Sequence, residues 1–445
     1  GLKNALFPAL LNALAERELP YVLLRDHPEA PAIRDLDLLI DRARLADFLP
    51  LAAQHGFQLL KSGRLNPGKK VLLHWNGSGP HIIDLHERLI YRGYEYLDAS
   101  LVLRRRQQEG GYFHISLEDE LLTLFLHNVL GKAEIQAKHR DRLFALFAAQ
   151  MDESYITEHL QRYGIAELFA EARAEFATLA RDLTRVEKYR RRFLEQLHSH
   201  PKSNAVRQVQ IRVREFMEKW FGAKRGAVVA FIGPDGCGKS SITNALRDEF
   251  RRATVATDIV YLGPWGQHKL PLHDIMRKLN IKPYSPKEKN GAASSLQANV
   301  PRRFVHFVKG TMFYLLLAVE LWFRYYALAL PKLRRGRIVL ADRYIYDLMI
   351  GYKNRPLHSH QRLRAWLCRR YPKPDVAILL DAAPEVIFAR KPQFEVSQLE
   401  HIRRSYHELR REFDLHTLDT SVSVETTKED FKQRFFGKVL KALKP

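Results

Sequence analysis

A glycine-rich loop that directly follows an apolar run most strongly constrains the fold of this chain. Residues 227–232 read Ala-Val-Val-Ala-Phe-Ile, which is typical of a strand buried on both faces of a parallel sheet. Residues 233–241 then read Gly-Pro-Asp-Gly-Cys-Gly-Lys-Ser-Ser, and apolar residues at helical spacing follow them. Strand, loop and helix in this order match the complete G-x-x-x-x-G-K-S phosphate-binding pattern. The pattern predicts an α/β domain that binds a polyphosphate.

The residue types of this loop indicate its chemistry. The glycines let the backbone curl, so that its N–H groups and the N-terminus of the following helix face an anion. Lys239 is expected to neutralise charge on the β- and γ-phosphates, and the Ser240 hydroxyl to hold Mg²⁺. We therefore expect ATP and Mg²⁺ as cofactors. The expected nucleotide-binding residues are Gly233, Asp235, Gly236, Cys237, Gly238, Lys239, Ser240 and Ser241.

A second apolar run ends in charged residues that fit the same site. Residues 336–344 read Gly-Arg-Ile-Val-Leu-Ala-Asp-Arg-Tyr. Ligands of open α/β sheets lie outside the carboxyl ends of the strands. We therefore expect Asp342 beside the metal ion or the acceptor, and we expect Arg343 to bind a phosphate with its guanidinium fork. Further strand patterns at 258–262 and 376–380 alternate with helical stretches, which predicts a doubly wound parallel sheet.

Residues 228–443 resemble the thymidylate kinase-like branch of the P-loop nucleoside-monophosphate kinases. The shared motifs are the glycine-rich loop, Asp342-Arg343-Tyr344 and the segment 374–386. The resemblance implies transfer of the γ-phosphate of ATP to a small-molecule acceptor. It places Asp235 near an acceptor hydroxyl, and Arg390 and Lys391 over the transferring phosphate. The catalytic residues that it implies are Lys239, Asp342, Arg343 and Arg390.

The acceptor side departs from that family. After the second strand such kinases carry an arginine within a Pro-Gly turn, whereas residues 261–267 here read Tyr-Leu-Gly-Pro-Trp-Gly-Gln. The helix before Asp342 usually offers an arginine to the acceptor, and its nearest counterpart here is Leu321, flanked by Glu320 and Arg324. We therefore expect an acceptor other than thymidylate, drawn from nucleoside monophosphates, sugars and sugar phosphates.

The first part of the chain has a different pattern. Short β-like runs separated by turn residues predict an α+β fold, and after residue 117 the apolar spacing becomes helical. The β-like runs lie at 21–24, 37–40, 71–75 and 81–85. The expected domains are an α+β domain at 1–110, a helical segment with a basic linker at 111–225, and the α/β domain at 226–445.

Three aspartates lie on these β-like runs. Asp35 and Asp37 are two residues apart, so they share one face of a strand, and Asp84, on a neighbouring strand, could complete the site. Three convergent carboxylates suit Mg²⁺, which could activate a hydroxyl and neutralise a leaving pyrophosphate. An Asp-x-Asp pair is also common at a solvated strand edge. The sequence leaves both interpretations open.

Residues 5–150 are similar to the nucleotidyltransferase superfamily (polymerase-β-like), whose members include uncharacterised proteins of bacterial surface-polysaccharide loci. The resemblance is carried by the runs 34–40 and 81–86. The Gly-Ser pair that grips a triphosphate in that superfamily is not evident, because Arg25-Asp26 follows the first strand here. Catalysis, nucleotide binding without turnover and a scaffold role are therefore all open for this domain. A role of the whole chain in surface-polysaccharide biosynthesis is the expectation that follows.

The charge balance bears on the partners. The chain has 72 Lys and Arg against 50 Asp and Glu, and its net charge of +22 attracts nucleic acid, anionic lipid or phosphorylated small molecules. The basic segment 185–225 supports an alternative function, which is a nucleic-acid-binding or end-modifying protein or an ATP-gated regulator. Peripheral contact with a membrane also stays open.

Two further features bear on the location of the protein. Two cysteines and the lack of a recognisable export signal predict a cytoplasmic protein. The most apolar window, residues 310–319, is shorter than the roughly 20 residues that a membrane span requires. It is therefore expected to be a buried or half-buried helix.

Overall fold

The computed structural model describes residues 6–25, 33–63, 66–75, 79–200, 205–266, 269–278, 300–350 and 360–445. The chain forms two compact units, an N-terminal unit that spans residues 1–217 and a C-terminal unit that spans Glu218–Lys444.

The N-terminal unit contains a mixed seven-stranded sheet and a separate two-stranded hairpin. The strands of the sheet, in the order in which they pair, are β3 (Gln58–Lys61), β4 (Lys69–Trp75), β5 (Pro80–His86), β2 (Asp35–Ile40), β1 (Tyr21–Leu23), β9 (Tyr112–His114) and β8 (Gln107–Glu109). The hairpin consists of β6 (Leu89–Tyr91) and β7 (Tyr94–Leu97). All four predicted β-like runs form strands of the large sheet.

Residues of β2 alternate between two hydrophobic cores. Leu36 and Leu38 pack with helices α1 (Leu6–Glu16) and α2 (Leu45–Gln54), whose apolar stripes cover one face of the sheet. Leu39 belongs to a second core, which is formed with the helices that follow the sheet. Because side chains alternate along a strand, Asp35 and Asp37 are on the same face as Leu39. The alternation thus places both aspartates on the side of the later helices.

The helical segment continues this second core. Its Phe125 and Leu122 are buried in one cluster with Val22 and Leu39 of the sheet. The predicted domain end at residue 110 lies between β8 and β9, which pair within one sheet. Sheet and helical segment are therefore parts of one compact unit. The helices are α3 (Ala99–Arg104), α4 (Leu117–Leu126), α5 (Ala137–Ala148), α6 (Glu153–Gln161), α7 (Ala166–Ala174), α8 (Phe176–Leu179), α9 (Leu183–Ser199) and α10 (Ala205–Phe221), the last of which contains the boundary between the units.

The C-terminal unit contains a five-stranded sheet in which every neighbouring pair is parallel. The strands pair in the order β11 (Thr257–Tyr261), β12 (Ile338–Asp342), β10 (Val228–Ile232), β13 (Val376–Asp381) and β14 (His416–Asp419). Every residue of β10 is buried, as its continuous apolar run predicts. The prediction of an α/β domain built on a parallel sheet is confirmed.

Helices connect these parallel strands. They are α11 (Lys239–Arg252), α12 (Leu272–Lys278), α13 (Val300–Arg324), α14 (Leu330–Arg334), α15 (Gln361–Arg370), α16 (Pro384–Arg390), α17 (Val396–Phe413), α18 (Val424–Phe431) and α19 (Gly437–Ala442). Within the described ranges, the stretch Phe307–Arg334 is long and apolar enough to cross a membrane by length and composition, and 44% of its apolar window is buried. Tyr314 and Leu317 are buried while Met312 and Leu315 are exposed, so the predicted half-buried helix is confirmed.

Candidate nucleotide-binding site

The phosphate-binding loop joins β10, the middle strand of the C-terminal sheet, to α11. The loop contains three glycines with positive φ angles, which residues with a Cβ rarely adopt. The angles are +147° at Gly233, +89° at Gly236 and +91° at Gly238. A Cβ at Gly233 would lie 2.7 Å from the carbonyl oxygen of Leu380 in β13. The loop therefore folds closely against the end of the neighbouring strand, and glycine is required at this position.

Lys239 is the first residue of α11, and its side chain reaches back to the start of this loop. Its side chain is only 7% exposed, and its amine donates hydrogen bonds to the carbonyl oxygens of Gly233 and Pro234 at 2.9 and 2.8 Å. Ser240 and Ser241 follow in the first turn of α11 and are exposed. A buried ammonium group and a helix N-terminus at one end of a sheet together favour the binding of an anion.

Asp342 ends β12, the strand that pairs directly with β10. Its Oδ1 atom is buried without a hydrogen-bond partner. Burial raises the pKa of Asp342, although the charges of Lys239 and Arg343 oppose this rise. An unsatisfied buried carboxylate oxygen next to a phosphate-binding loop is suited to bind a cation or to hold a proton.

The residues present fit Mg²⁺ that is bound together with a nucleotide. Among the described residues, no group of three or more His, Cys, Asp or Glu side chains could hold a metal ion. Mg²⁺ in phosphoryl-transfer enzymes needs only one or two protein ligands, because phosphate oxygens and waters complete its coordination. Asp342 and the Ser240 hydroxyl are the residues that would hold it.

Arg343 connects the loop to the core of the unit. It has a positive φ of +64°, and its guanidinium forms ion pairs with Asp235 of the loop and with Asp347, the latter at 2.6 Å. Asp347 is fully buried and also accepts a hydrogen bond from Tyr406. Burial alone would raise the pKa of Asp235, but the charges of Arg343, Lys239 and Lys391 lower it below its ordinary value. The guanidinium predicted to bind a phosphate thus contacts two carboxylates in this structure.

The two basic residues at the end of α16 lie close to the loop. A Cβ at Gly238 would be 3.8 Å from an Nη atom of Arg390, and one at Gly236 would be 3.2 Å from the Cβ of Lys391. The Lys391 amine is 4.0 Å from a carboxylate oxygen of Asp235. The structure therefore brings Arg390 and Lys391 to the loop that contains Lys239.

Two carboxylates of this site were not predicted to have a role. Asp347 binds Arg343 across the turn after β12, where Arg343 has a positive φ, so the helical spacing rule for ion pairs does not predict this contact. Asp381 ends β13 and accepts hydrogen bonds from Arg403 at 2.6 and 2.8 Å. Arg403 lies on another element, α17, so only the fold brings these two residues together.

A buried ion pair in α13 holds the segment that follows β11. Glu320 and Arg324 are 2% and 0% exposed, and their Oε1 and Nε atoms are 2.7 Å apart. Arg324 also donates to the carbonyl oxygens of Gly263 and Gly266 at 2.8 and 2.9 Å. Glu320 accepts the backbone N–H groups of residues 269 and 270 at 2.7 and 2.9 Å. Both charges are therefore engaged in fixing this segment.

The three aspartates predicted to bind a metal lie in the N-terminal unit. Strands β2 and β5 are parallel neighbours in which Asp37 is opposite Asp84, and Asp35 lies two residues earlier on β2. All three aspartates line one cleft. Asp37 is 3.5 Å from Arg25, and Asp84 is 2.5 Å from Lys69. These contacts describe where the three aspartates lie and do not assign them a metal ion.

Comparison with known proteins concerns the kinase-like region. No family model matches the chain. The chain is similar to "Probable thymidylate kinase 2" of Saccharolobus solfataricus, with 29% identity over 171 residues that cover 37% of this chain and 64% of that protein. It is also similar to "Thymidylate kinase" of Symbiobacterium thermophilum, with 30% identity over 117 residues that cover 23% of this chain and 54% of that protein.

The chain spans less than two thirds of the length of these curated relatives. Together with the parallel sheet and its loop, the two distant similarities support a thymidylate kinase-like P-loop kinase region. Neither comparison supports the nucleotidyltransferase resemblance of residues 5–150.

Replacing Lys239 tests the role of the loop in nucleotide binding. Lys239→Ala removes the ammonium group that is expected to neutralise phosphate charge, so we expect ATP affinity measured by calorimetry to fall by roughly 10-fold or more, as the loss of a charge-assisted hydrogen bond predicts. Lys441→Ala, at an exposed position of α19, is the matched control and should bind ATP like the unmodified chain. Unchanged affinity in Lys239→Ala would contradict the assignment.

Replacing Arg324 tests the buried ion pair. Arg324→Met leaves the Glu320 carboxylate buried without its partner, which should cost about 3–5 kcal/mol in the free energy of unfolding of the C-terminal unit. Glu320→Leu in the same chain should recover part of that loss, because the remaining buried charge is removed. Denaturant unfolding monitored by tryptophan fluorescence gives both values. A loss below about 1 kcal/mol in Arg324→Met, the range of exposed pairs, would show that the pair is not buried.

Proposed function

We propose that the C-terminal unit is an ATP- and Mg²⁺-dependent kinase that phosphorylates a small-molecule acceptor. The observation that carries the proposal is the convergence of Lys239, the unpaired buried oxygen of Asp342 and the Arg390–Lys391 pair at one glycine-rich loop. The similarity to two thymidylate kinases supports the reaction class.

Each residue has a role that follows from its position. The loop N–H groups and Lys239 bind the β- and γ-phosphates, and Arg390 and Lys391 stabilise the charge that spreads over the transferring phosphoryl group. When bound, Mg²⁺ neutralises phosphate charge and orients the γ-phosphate for in-line attack. An acceptor oxygen, either of a hydroxyl or of a phosphate group, attacks the γ-phosphorus, the bond to the β-phosphate oxygen breaks, and ADP leaves.

Asp342 is the residue proposed to act on the acceptor side of the reaction. Its raised pKa and unpaired oxygen suit a group that holds the metal ion or accepts the hydroxyl proton. Asp235 is less suited to accept a proton, because three cations keep its pKa low. We assign Asp235 the positioning of the acceptor and of Arg343.

The acceptor is proposed to differ from thymidylate. The arginine nearest to the acceptor position on α13, Arg324, binds Glu320 and two backbone carbonyls. Arg343 binds two carboxylates. The turn after β11 carries Trp265, which stacks with Phe313 at 6.5 Å, in place of an arginine. These features favour an acceptor whose recognition depends more on apolar and hydrogen-bonding contacts than on an arginine-bound phosphate.

The nucleic-acid alternative rests on the basic segment 185–225. Its arginines are largely engaged in ion pairs with nearby glutamates, for example Arg190 and Arg191 with Glu187, and Arg192 with Glu171. These glutamates lower the net positive charge that the segment can offer to a phosphate backbone. We therefore do not adopt this alternative. A role of the kinase in surface-polysaccharide biosynthesis remains a proposal that depends on the resemblance of the first part of the chain.

An acceptor screen tests the proposed reaction. ADP release by the full chain should be stimulated by at least one nucleoside monophosphate, sugar or sugar phosphate in the presence of Mg²⁺. Asp342→Asn keeps the size of the side chain and removes its charge, so turnover with that acceptor should fall by about 10²-fold or more. Turnover that is unchanged in Asp342→Asn would contradict the proposed role of this residue.

The same screen tests the identity of the acceptor. Thymidylate should stimulate ADP release no better than other nucleoside monophosphates at equal concentration, because the arginines that would bind its phosphate are engaged elsewhere. A thymidylate preference of about 10³-fold or more, the scale produced by a site built to pair a substrate's polar groups, would contradict this expectation.

A further inference from the structure

The cleft of the N-terminal unit contains the three aspartates together with cationic side chains. It has a volume of about 1380 Å³ and includes Asp35, Asp37 and Asp84 in its lining. The Lys69 amine is 2.5 Å from Asp84, while Arg25 and His86 approach Asp37 at 3.5 and 3.6 Å. Three carboxylate oxygens of Asp37 and Asp84 that would ligate a metal ion therefore already lie within 3.6 Å of basic side chains of the protein.

This arrangement does not fit the Mg²⁺ ion that the nucleotidyltransferase resemblance implies. A magnesium ion requires oxygen ligands at about 2.0–2.1 Å in an octahedral arrangement. The Lys69 ammonium group is at hydrogen-bond distance from one oxygen of Asp84, and its charge repels a divalent cation. In the part of the chain that the structure describes, no cluster of acidic, histidine or cysteine side chains could hold a metal ion.

The charge of the cleft instead favours an anion. Among the lining residues that the structure describes, seven are Lys or Arg and five are Asp or Glu. The histidines His127 and His139 also line the cleft, and burial followed by the charge of Arg25 lowers their pKa values to about 3 and about 4. Both imidazoles are therefore neutral near pH 7, and each can donate one hydrogen bond to an anion without adding charge.

Arg25 has a hydrogen-bond donor that the protein leaves unused. Its Nε atom is buried without a hydrogen-bond partner, although an Nη atom of the same guanidinium lies 3.5 Å from Asp37. A buried N–H group without an acceptor costs free energy, which a ligand oxygen would recover. The planar guanidinium offers two parallel donors, a geometry that matches the oxygens of a phosphate group.

We propose that this cleft binds a phosphorylated small molecule without a divalent cation, and that Arg25 and Lys69 contact its phosphate. The site lies in the N-terminal unit, so the proposal is independent of the kinase activity assigned to the C-terminal unit. Nucleoside monophosphates and sugar phosphates both carry the phosphate group that Arg25 and Lys69 are proposed to contact.

Calorimetry on the full chain with Lys239→Ala, which removes the main phosphate contact of the kinase-like region, tests this proposal. Inorganic phosphate probes recognition of the phosphate group alone. Adenosine monophosphate and glucose 1-phosphate represent the two classes of ligand, nucleoside monophosphates and sugar phosphates. We expect at least one probe to bind in EDTA, with an affinity that changes less than about twofold when Mg²⁺ replaces EDTA at constant ionic strength, because no metal ion takes part in binding.

Substitutions separate an anion site from a metal site. Lys69→Met should weaken the binding of the probe by roughly 10-fold or more, the scale of one charge-assisted contact. Asp84→Asn should leave the affinity unchanged or increase it, because Asp84 competes with the ligand for Lys69. Lys70→Met is the matched control, since Lys70 is the adjacent residue of β4 and forms a similar ion pair with Glu87 outside the cleft lining.

Opposite results would overturn the proposal. Binding that requires Mg²⁺ and disappears in Asp84→Asn would establish a metal site. Absence of binding by all three probes in the folded Lys239→Ala chain would also overturn it. If Lys69→Met does not fold, Lys69→Gln combined with Asp84→Asn removes both charges while keeping hydrogen-bonding groups, and it should show the same loss of affinity.

Discussion

The parallel pairing of β10 with β12 and β13 is the constraint on which the candidate kinase site depends. Because these strands run in one direction, their carboxyl ends meet at one edge of the sheet. The phosphate-binding loop, Asp342 and Asp381 are the residues that follow or end those strands. Arg343 then links the loop to the buried Asp347, so that loop geometry and core packing are coupled through one guanidinium.

Short runs of neighbouring residues were sufficient to predict several elements of the C-terminal sheet. These are the loop with β10 before it, Asp342, and the strands β11, β12 and β13. The partners of these residues could not be predicted in the same way, because Arg343 reaches Asp235 only through the turn after β12. In the N-terminal unit, the neighbouring strand positions of Asp37 and Asp84 were predicted. The contact of Asp84 with Lys69 depends on which residues of β4 and β5 lie opposite each other. The alternation of apolar residues along a strand predicts the face on which a polar residue lies, but it does not predict which polar residue of the next strand it meets.

The limits of the domains also could not be determined from local sequence patterns. The change from β-like to helical spacing near residue 117 is real, yet both patterns contribute to one core through Val22, Leu39 and Phe125. Burial on both faces of a sheet joins segments that differ in secondary structure. On the acceptor side, Glu320 and Arg324 were recognised as departures from the family, and only the structure explains them as a buried pair that fixes the turn after β11.

The reaction proposed for the C-terminal unit is the transfer of the γ-phosphate of ATP to an acceptor molecule. Phosphorus NMR of the full chain with ATP, Mg²⁺ and the acceptor follows every phosphorus atom of the reaction in one experiment. If the unit is a kinase, the γ-phosphate signal of ATP decreases in step with the growth of one new phosphate-ester or anhydride signal and of the ADP signals. Growth of inorganic phosphate and ADP alone, at a rate independent of any acceptor, would identify an ATPase and contradict the proposed kinase activity.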